Sequence, residues 1–508
     1  MNIKSKIDNS HNKINIFKYN AMVFFILLLS TVIRFCYLTN RYFWCDEASS
    51  ILTSRYEVPL LLYHASFDVH PPLYYLLLHY WIDIFNDSIF SARSLSVLFG
   101  VITVALVIKL TRCIINERAA LLAGWLISIM PVAVRYSQEA RMYALMGMLT
   151  IAAALALVMW LKNPTNKRYL CIYTLLMVLS FYTHYFTIFA LVAHWLTLVI
   201  LSIKQSTTIR YLSQPIWWLA NLIIIIAYLP WLMVLINLLS HISELRVGGD
   251  VGWIPNVTWR DLPAMYWRFI TGSNGLHYPS FIHWAFPVFL ISMAFLFQYN
   301  LCHSRILVLC NLTAPIILVF LISWFMPLFI DRYLFFASIN IPVILASLIT
   351  QCRIKRLRIS FLLGLTIIFG FGVYNEYPKD KDRFMPLVDY IDVNYQPNDV
   401  VVVDSMFNYL SYVYYNKKDY QVMLYTGPNN NKIIGRPNEY GFGTFFHAQA
   451  SKVYIDKLIK LNYPHRRVWL VSTSDVNQAF GHLPVGWRQF GAFTSGEFEV
   501  RVFLTNNS

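Results

Sequence analysis

The sequence predicts a polytopic α-helical membrane protein that ends in a small α/β domain. Three observations carry this. Of the 508 residues, 57% are hydrophobic and only 13% charged, and mean hydropathy is +0.50; a soluble chain carries about a quarter charged residues. Apolar stretches long enough to cross a bilayer, ~20 residues each, recur as far as residue 374 and then stop. Beyond Tyr374, short β-branched runs replace them. The net charge of +15 fits basic cytoplasmic loops, since no long basic run or nucleic-acid-binding motif accompanies it. The seven Cys fall singly, without a C-x2-C pair, which argues against a zinc ribbon or a disulfide framework. Cys36 and Cys45 remain open as a pair.

The N-terminal residues 1–19 carry Lys4, Lys6, Lys13 and Lys18 and no cleavage site follows the first apolar run. They read as a cytoplasmic segment before an uncleaved anchor. Candidate spans are 20–38, 92–111, 119–134, 141–161, 169–183, 186–203, 215–239, 281–299, 305–325, 333–350 and 359–374, about eleven in all. The segment 70–85 is apolar too, but it is short, starts at Pro71-Pro72 and carries His79 and Asp83. If it stays out of the bilayer, the loops bearing Lys109, Arg112 and Arg118, Lys162, Lys167 and Arg168, Lys204 and Arg210, His303 and Arg305, and Arg353 to Arg358 all share the side of the N-terminal lysines. If it crosses, all of them face outward against the rule. The segment is therefore expected as an interfacial helix inside a first outer loop, 39–91, with the prolines at its first turn. A second outer loop, 240–280, is rich in Trp and Gly, which suits a membrane-edge belt or stacking on sugar rings.

Residues 20–374 thus form the membrane domain, and 375–508 an outward-facing α/β domain. In the latter, Asp399 to Asp404 and Arg467 to Ser472 read as strands, 384–395 and 451–461 as helices, and 497–504 as a half-buried strand closing a terminal hairpin. It has no glycine-rich phosphate loop, so no nucleotide is expected there.

With this parity, the ionisable residues that basic loops do not explain collect at one face. The adjacent pair Asp46-Glu47 follows Trp44 in a chain with only 26 Asp and Glu. A carboxylate at a membrane edge is wet, paired or working; the pair suits either a general base for a hydroxyl or the acidic first turn of the helix that follows it. Glu139 and Arg141 open the fourth span, where they pair with each other or supply an acid and an anion ligand. His184 lies at a short turn among aromatics, as a packing residue or a site residue. Asp331-Arg332 enters the tenth span, where the guanidinium fork matches a lipid phosphate or simply pairs with Asp331.

The motifs Trp44-Cys-Asp46-Glu47, Asp68-Val-His70-Pro-Pro-Leu-Tyr-Tyr75, Ser91-Ala-Arg93 through Gly100, and Tyr136-Ser-Gln-Glu139-Ala-Arg141-Met-Tyr-Ala-Leu145 resemble the polyprenyl-phosphate-sugar-dependent membrane glycosyltransferases of the GT-C class. That class includes the protein O-mannosyltransferases, the aminoarabinose transferase of lipid A and related galacturonosyl and mannosyl transferases. The resemblance is dense over 20–200 and thins to Trp253-Ile-Pro255 and Asp331-Arg-Tyr333 beyond. It implies Asp46 as catalytic base with Glu47 beside it, Glu139 as a second-loop acid, and His70, Arg93, Arg141, His184 and Arg332 around the donor phosphate and substrate. The aminoarabinose transferase has a Lys where this chain has Pro71, so one phosphate contact of that enzyme is missing. The implied activity moves one sugar from a polyprenyl-phosphate carrier to an envelope glycan, lipid (lipopolysaccharide among them) or protein, outside the inner membrane. No cofactor, metal or nucleic acid is expected. A transporter or flippase of a lipid-linked saccharide is the alternative; it predicts charges at mid-membrane and matching halves, which the sequence does not show.

Overall fold

The structure is a computed structural model that describes residues 15–204, 211–241, 254–272, 303–377, 383–418, 420–427, 440–445, 450–473 and 475–505. The expected span 281–299 and Trp253 lie outside these, as does most of the 240–280 loop before Ile254 and after Gly272. Helices dominate: α1 (Ile16–Phe35), α2 (Cys45–Ser54), α3 (Val58–Phe67), α4 (Leu73–Phe85), α5 (Ile89–Ile114), α6 (Glu117–Ser128), α7 (Pro131–Ser137), α8 (Tyr143–Lys162), α9 (Arg168–Phe181), α10 (Thr187–Lys204), α11 (Pro215–Ser240), α12 (Asp261–Thr271), α13 (His303–Ile322), α14 (Asp331–Ser338), α15 (Asn340–Gln351) and α16 (Lys355–Glu376). Among the described residues, seven helical stretches are long and apolar enough to cross a membrane, or eight if one bent pair counts as a span. The chain is an integral, multi-pass membrane protein. The 13-residue α4 spans only about 20 Å at 1.5 Å per residue, short of a bilayer's hydrocarbon core.

The chain divides into two compact units. One comprises Met1–Cys36, Arg93–Pro230 and Asn256–Tyr377; the other Tyr37–Ala92, Trp231–Pro255 and Pro378–Ser508.

In the first unit, the expected span 119–134 is two helices, α6 and α7, bent by 61°. The cause is local. Met130 precedes Pro131, and a residue before proline leaves the helical region; Met130 has ψ 120°. The break exposes carbonyls in a bilayer that offers no water to bond them. Arg34, at the end of α1 and 1% exposed, supplies the donors. Its guanidinium bonds the carbonyls of Ser128 at 3.0 Å and Ile127 at 3.2 Å, and the hydroxyls of Ser30 at 2.7 Å and Ser137 at 3.2 Å. Gly100 leaves room for this, since a Cβ there would lie 2.1 Å from Ser137 Oγ.

The second unit carries a six-stranded sheet in the order β3-β2-β1-β4-β6-β5. Strands β1 (Val400–Val403), β2 (Val422–Tyr425), β3 (Tyr454–Ile455) and β4 (Arg467–Ser472) are parallel; β6 (Phe498–Leu504) runs antiparallel to β4 and to β5 (Arg488–Ser495). The alternation of 497–504 is thus the β6 side of a hairpin, turned at Gly496 with φ +64°, a value that glycine adopts without strain. Val402, Val468, Leu470 and Phe503 form one face of the core with Ile455, Leu458, Leu461, Val476 and Phe480. On the other face lie helices α17 (Met385–Asn394) and α18 (Met406–Tyr415). The expected helix at 451–461 is corrected: residues 450–453 make one turn, Tyr454–Ile455 pairs with Leu424–Tyr425, and Leu458–Leu461 is a 3-10 turn. Buried Ile455, Leu458 and Leu461 recur every three residues, the 3-10 period rather than the α period.

Candidate active site

In the second unit, α2 bears the acidic pair. Trp44 is its N-cap residue, so Asp46 and Glu47 occupy the second and third helical positions, where free backbone N–H groups and the helix dipole favour carboxylates. Nine of its ten residues are buried, although six of the ten are Ser, Thr, Asp or Glu. Asp46 is 7% exposed and Glu47 fully buried. The hydroxyls return to backbone: Ser50 Oγ donates to the Asp46 carbonyl at 3.0 Å and Ser54 Oγ to that of Tyr75 at 3.1 Å. Helix α2 packs between α4 and α18. His79 of α4 binds the Ser54 carbonyl through Nδ1 at 2.8 Å. On the α18 side, the Phe43 N–H donates to Tyr415 Oη at 3.1 Å, Cys45 Sγ reaches the Met406 carbonyl at 3.8 Å, and Arg55 lies over the Tyr414 ring. The first-loop helices and the C-terminal sheet domain are therefore one folded body. His70, 4% exposed, has Nδ1 3.9 Å from Asp68 Oδ1, while Tyr75 Oη donates to the other Asp68 oxygen. Asp68 belongs to the same sequence motif as His70 and Tyr75.

In the first unit, Glu139, Arg141, His184 and Arg332 fall in one neighbourhood. Glu139 lies between α7 and α8 and accepts from Arg135 Nε at 3.1 Å. Arg135 Nη1 is 3.6 Å from the Glu376 carboxylate at the end of α16. Asp331, Arg135, Glu139 and Arg332 all act electrostatically on buried Tyr136. Tyr136 contacts Tyr143 and Phe335; Tyr143 contacts His184 and Tyr333; His184 contacts Tyr333. The Arg332 guanidinium lies 5.8 Å from the Tyr333 ring centre. His184 Nδ1 accepts from the Phe186 N–H at 3.1 Å, which places the ring proton on Nε2. Arg141 and Arg93 are each 3% exposed. Ser96, one turn beyond Arg93, donates to the Arg141 carbonyl at 3.4 Å.

Sequence reading missed Arg135, Glu376 and Arg268. Arg135 stood one residue before the Tyr136 motif, and Glu376 two residues past the last span. Arg268, on α12, has a buried Nε with no hydrogen-bond partner among the described residues; α12 packs on α7, α14 and α16. The signal was available: each is an ionisable group at the edge of an apolar run. Among the described residues, no three His, Cys, Asp or Glu are grouped to hold a metal ion.

Residues 69–234 match the family model of the dolichyl-phosphate-mannose-protein mannosyltransferases. No curated protein sequence matches the chain. Among solved structures, ArnT from Cupriavidus metallidurans bound to undecaprenyl phosphate is similar at TM-score 0.64 and 11% identity, over 94% of this chain and 97% of that one. The same protein in its apo state gives 0.62 and 11%, over 95% and 98%. The archaeal oligosaccharyltransferase AglB from Archaeoglobus fulgidus, in complex with an inhibitory peptide and a dolichol-phosphate, gives 0.51 and 14%, over 90% and 70%. In fold, then, the chain is similar to ArnT and AglB, and over 69–234 its sequence matches the family model of the dolichyl-phosphate-mannose-protein mannosyltransferases.

Proposed function

We propose that the protein transfers a sugar from a polyprenyl-phosphate carrier to an acceptor hydroxyl on the extracytoplasmic side of the inner membrane. The observation that carries this reading is α2, a buried polar helix with Asp46 and Glu47 in its first turn. Burying small hydroxyls and two acids on one short helix costs stability, which a helix kept only for packing would avoid. Undecaprenyl phosphate and dolichol-phosphate are bound to the similar proteins named above, and this chain takes a ligand of the same kind.

In the reaction, the acceptor oxygen attacks the anomeric carbon as the bond from that carbon to the phosphate oxygen breaks. Asp46 takes the acceptor's proton and Glu47 supports it; a positioned base of this kind contributes on the order of 10²–10⁴ in rate. The lipid phosphate leaves with its electron pair. It needs neutralisation rather than a proton, and Arg332, Arg141 and Arg93 supply it, Arg332 through a planar fork that matches phosphate oxygens. His70, oriented by Asp68, and His184 donate to the substrate or its phosphate. Glu139 provides the second acid. The basic loops favour a cytoplasmic N-terminus with these groups outside.

Mass analysis of envelope glycans, lipids and proteins from cells with and without the chain tests the reading. A sugar-sized mass present only with the chain is expected. Identical envelopes in the two strains, with the protein expressed, contradict it.

A further inference from the structure

Glu376 is 3% exposed and ends the last apolar helix, in a place that the surrounding backbone is shaped to admit. Gly272, which follows α12, has φ +85°, and a Cβ there would lie 2.5 Å from Glu376 Oε1. One turn earlier on α16, a Cβ on Gly372 would lie 2.7 Å from the Thr271 carbonyl oxygen. Two glycines therefore let the 271–272 corner press onto the end of α16 and seat the carboxylate. Its partner is Arg135, whose Nη1 faces Glu376 while Nε holds Glu139. Asp331 also acts on Arg135. One guanidinium is thus shared between carboxylates on different elements.

We propose that Glu376 is a positioning residue: through Arg135 it fixes the carboxylate of Glu139. The inference rests on the reading of Glu139 as the second acid of the transfer site. A guanidinium fork offered one carboxylate closes on it with two parallel bonds. Glu376 prevents that closure. It draws one side of the guanidinium to itself, and Arg135 reaches Glu139 through Nε alone. Loss of the charge at 376 lets Arg135 rotate onto Glu139 and displaces the acid from its working place. A misplacement of about 1 Å costs on the order of 10²-fold in rate.

The experiment compares wild type with Glu376→Gln, Glu376→Asp, Gly272→Ala and Glu139→Gln. The readouts are the chain-dependent envelope mass in cells, and melting temperature and undecaprenyl phosphate binding on the purified full-length protein. Glu376→Gln is expected to lower transfer about 10- to 100-fold with melting and undecaprenyl phosphate binding unchanged. Glu376→Asp, which keeps the charge, is expected to restore most of the transfer. Gly272→Ala displaces the carboxylate by steric means and is expected to mimic Glu376→Gln. Wild-type transfer in Glu376→Gln beside an impaired Glu139→Gln overturns the inference and leaves the reading of Glu139 standing. Loss of melting temperature and undecaprenyl phosphate binding together with transfer, unrescued by Asp, makes Glu376 a helix anchor and also overturns it. Wild-type transfer in Glu139→Gln removes the reading itself.

Discussion

Asp46 and Glu47 sit in the first turn of a helix, where backbone N–H groups and the helix dipole suit a carboxylate. Glu139 sits outside any helix and is held by an arginine that it shares with Glu376. The two units thus hold acids by different means. The first mode depends on where the helix is placed, and α2 is placed by neighbours hundreds of residues away in sequence, Met406, Tyr414 and Tyr415. The second needs side chains on α7 and α16 to meet, and those are placed by the bend that Arg34 stabilises. An acid held by a backbone leaves a compact mark in sequence, since the pair and its aromatic flank are contiguous. An acid held by a shared arginine leaves almost none.

The largest effect that would break this comparison is removal of the C-terminal domain. A chain ending at Tyr377 lacks α18, so Phe43, Cys45 and Arg55 lose their contacts with Tyr415, Met406 and Tyr414. Limited proteolysis of the truncated protein in membranes is expected to cut within 37–92 where the full chain resists; equal resistance would show that the first loop folds unaided.

Next is Arg34→Met, which removes the donors from the carbonyls of Ile127 and Ser128 and from the hydroxyls of Ser30 and Ser137. Leaving buried polar groups unsatisfied costs about 1–3 kcal/mol each, so a marked fall in melting temperature is expected, with Arg34→Lys intermediate. An unchanged melting curve would mean that the bend stands by itself.

Arg332→Ala is a smaller change, because Arg332 is only partly buried and lies over Tyr333. It is expected to weaken undecaprenyl phosphate binding, and Arg332→Lys to recover part of it, since a point charge replaces a fork. Binding equal to wild type in Arg332→Ala would move the phosphate site elsewhere, with Arg141, Arg93 and Arg268 next in line.

The smallest effect is acid loosening of α3. His64 stacks on Tyr56 and its Nδ1 is 2.8 Å from Thr444 Oγ1. Burial pushes its pKa below the ordinary 6.5. A histidine with a lowered folded pKa contributes stability above pH 6.5 that is lost as pH falls through its folded value. Hydrogen exchange across 58–67 is expected to rise below about pH 6 in wild type and to become pH-independent, beyond the intrinsic chemistry, in His64→Gln.

These regions also differ in how legible they were. The spans follow from hydropathy, and the interfacial reading of 70–85 rests on loop charge. The strands at 400–403, 467–472 and 498–504 follow from β-branched runs and alternation. The bend between α6 and α7 was not read, because apolar composition continues through Met130-Pro131 and only the proline's steric rule marks it. Arg34, an ionisable group inside the first apolar run, is the trace it left. Residues 451–461 carried a helical spacing, but Tyr454–Ile455 had a sheet edge to complete. For the site, every residue singled out lies in a motif contiguous in sequence; Glu376 and Arg268 matter through neighbours far along the chain, and Arg135 joins a near acid, Glu139, to a distant one, Glu376.

The central claim is that Asp46 takes the acceptor's proton. Asp46→Asn keeps the shape of the side chain and removes its basicity, and its place early in a well-packed helix leaves folding nearly intact. In cells whose own copy is deleted, the chain-dependent envelope mass is expected to fall on the order of 10²–10⁴-fold with Asp46→Asn, and less with Glu47→Gln, while both proteins accumulate and melt like wild type. Wild-type transfer by Asp46→Asn would contradict the account and leave the acidic pair as the first turn of a helix and nothing more.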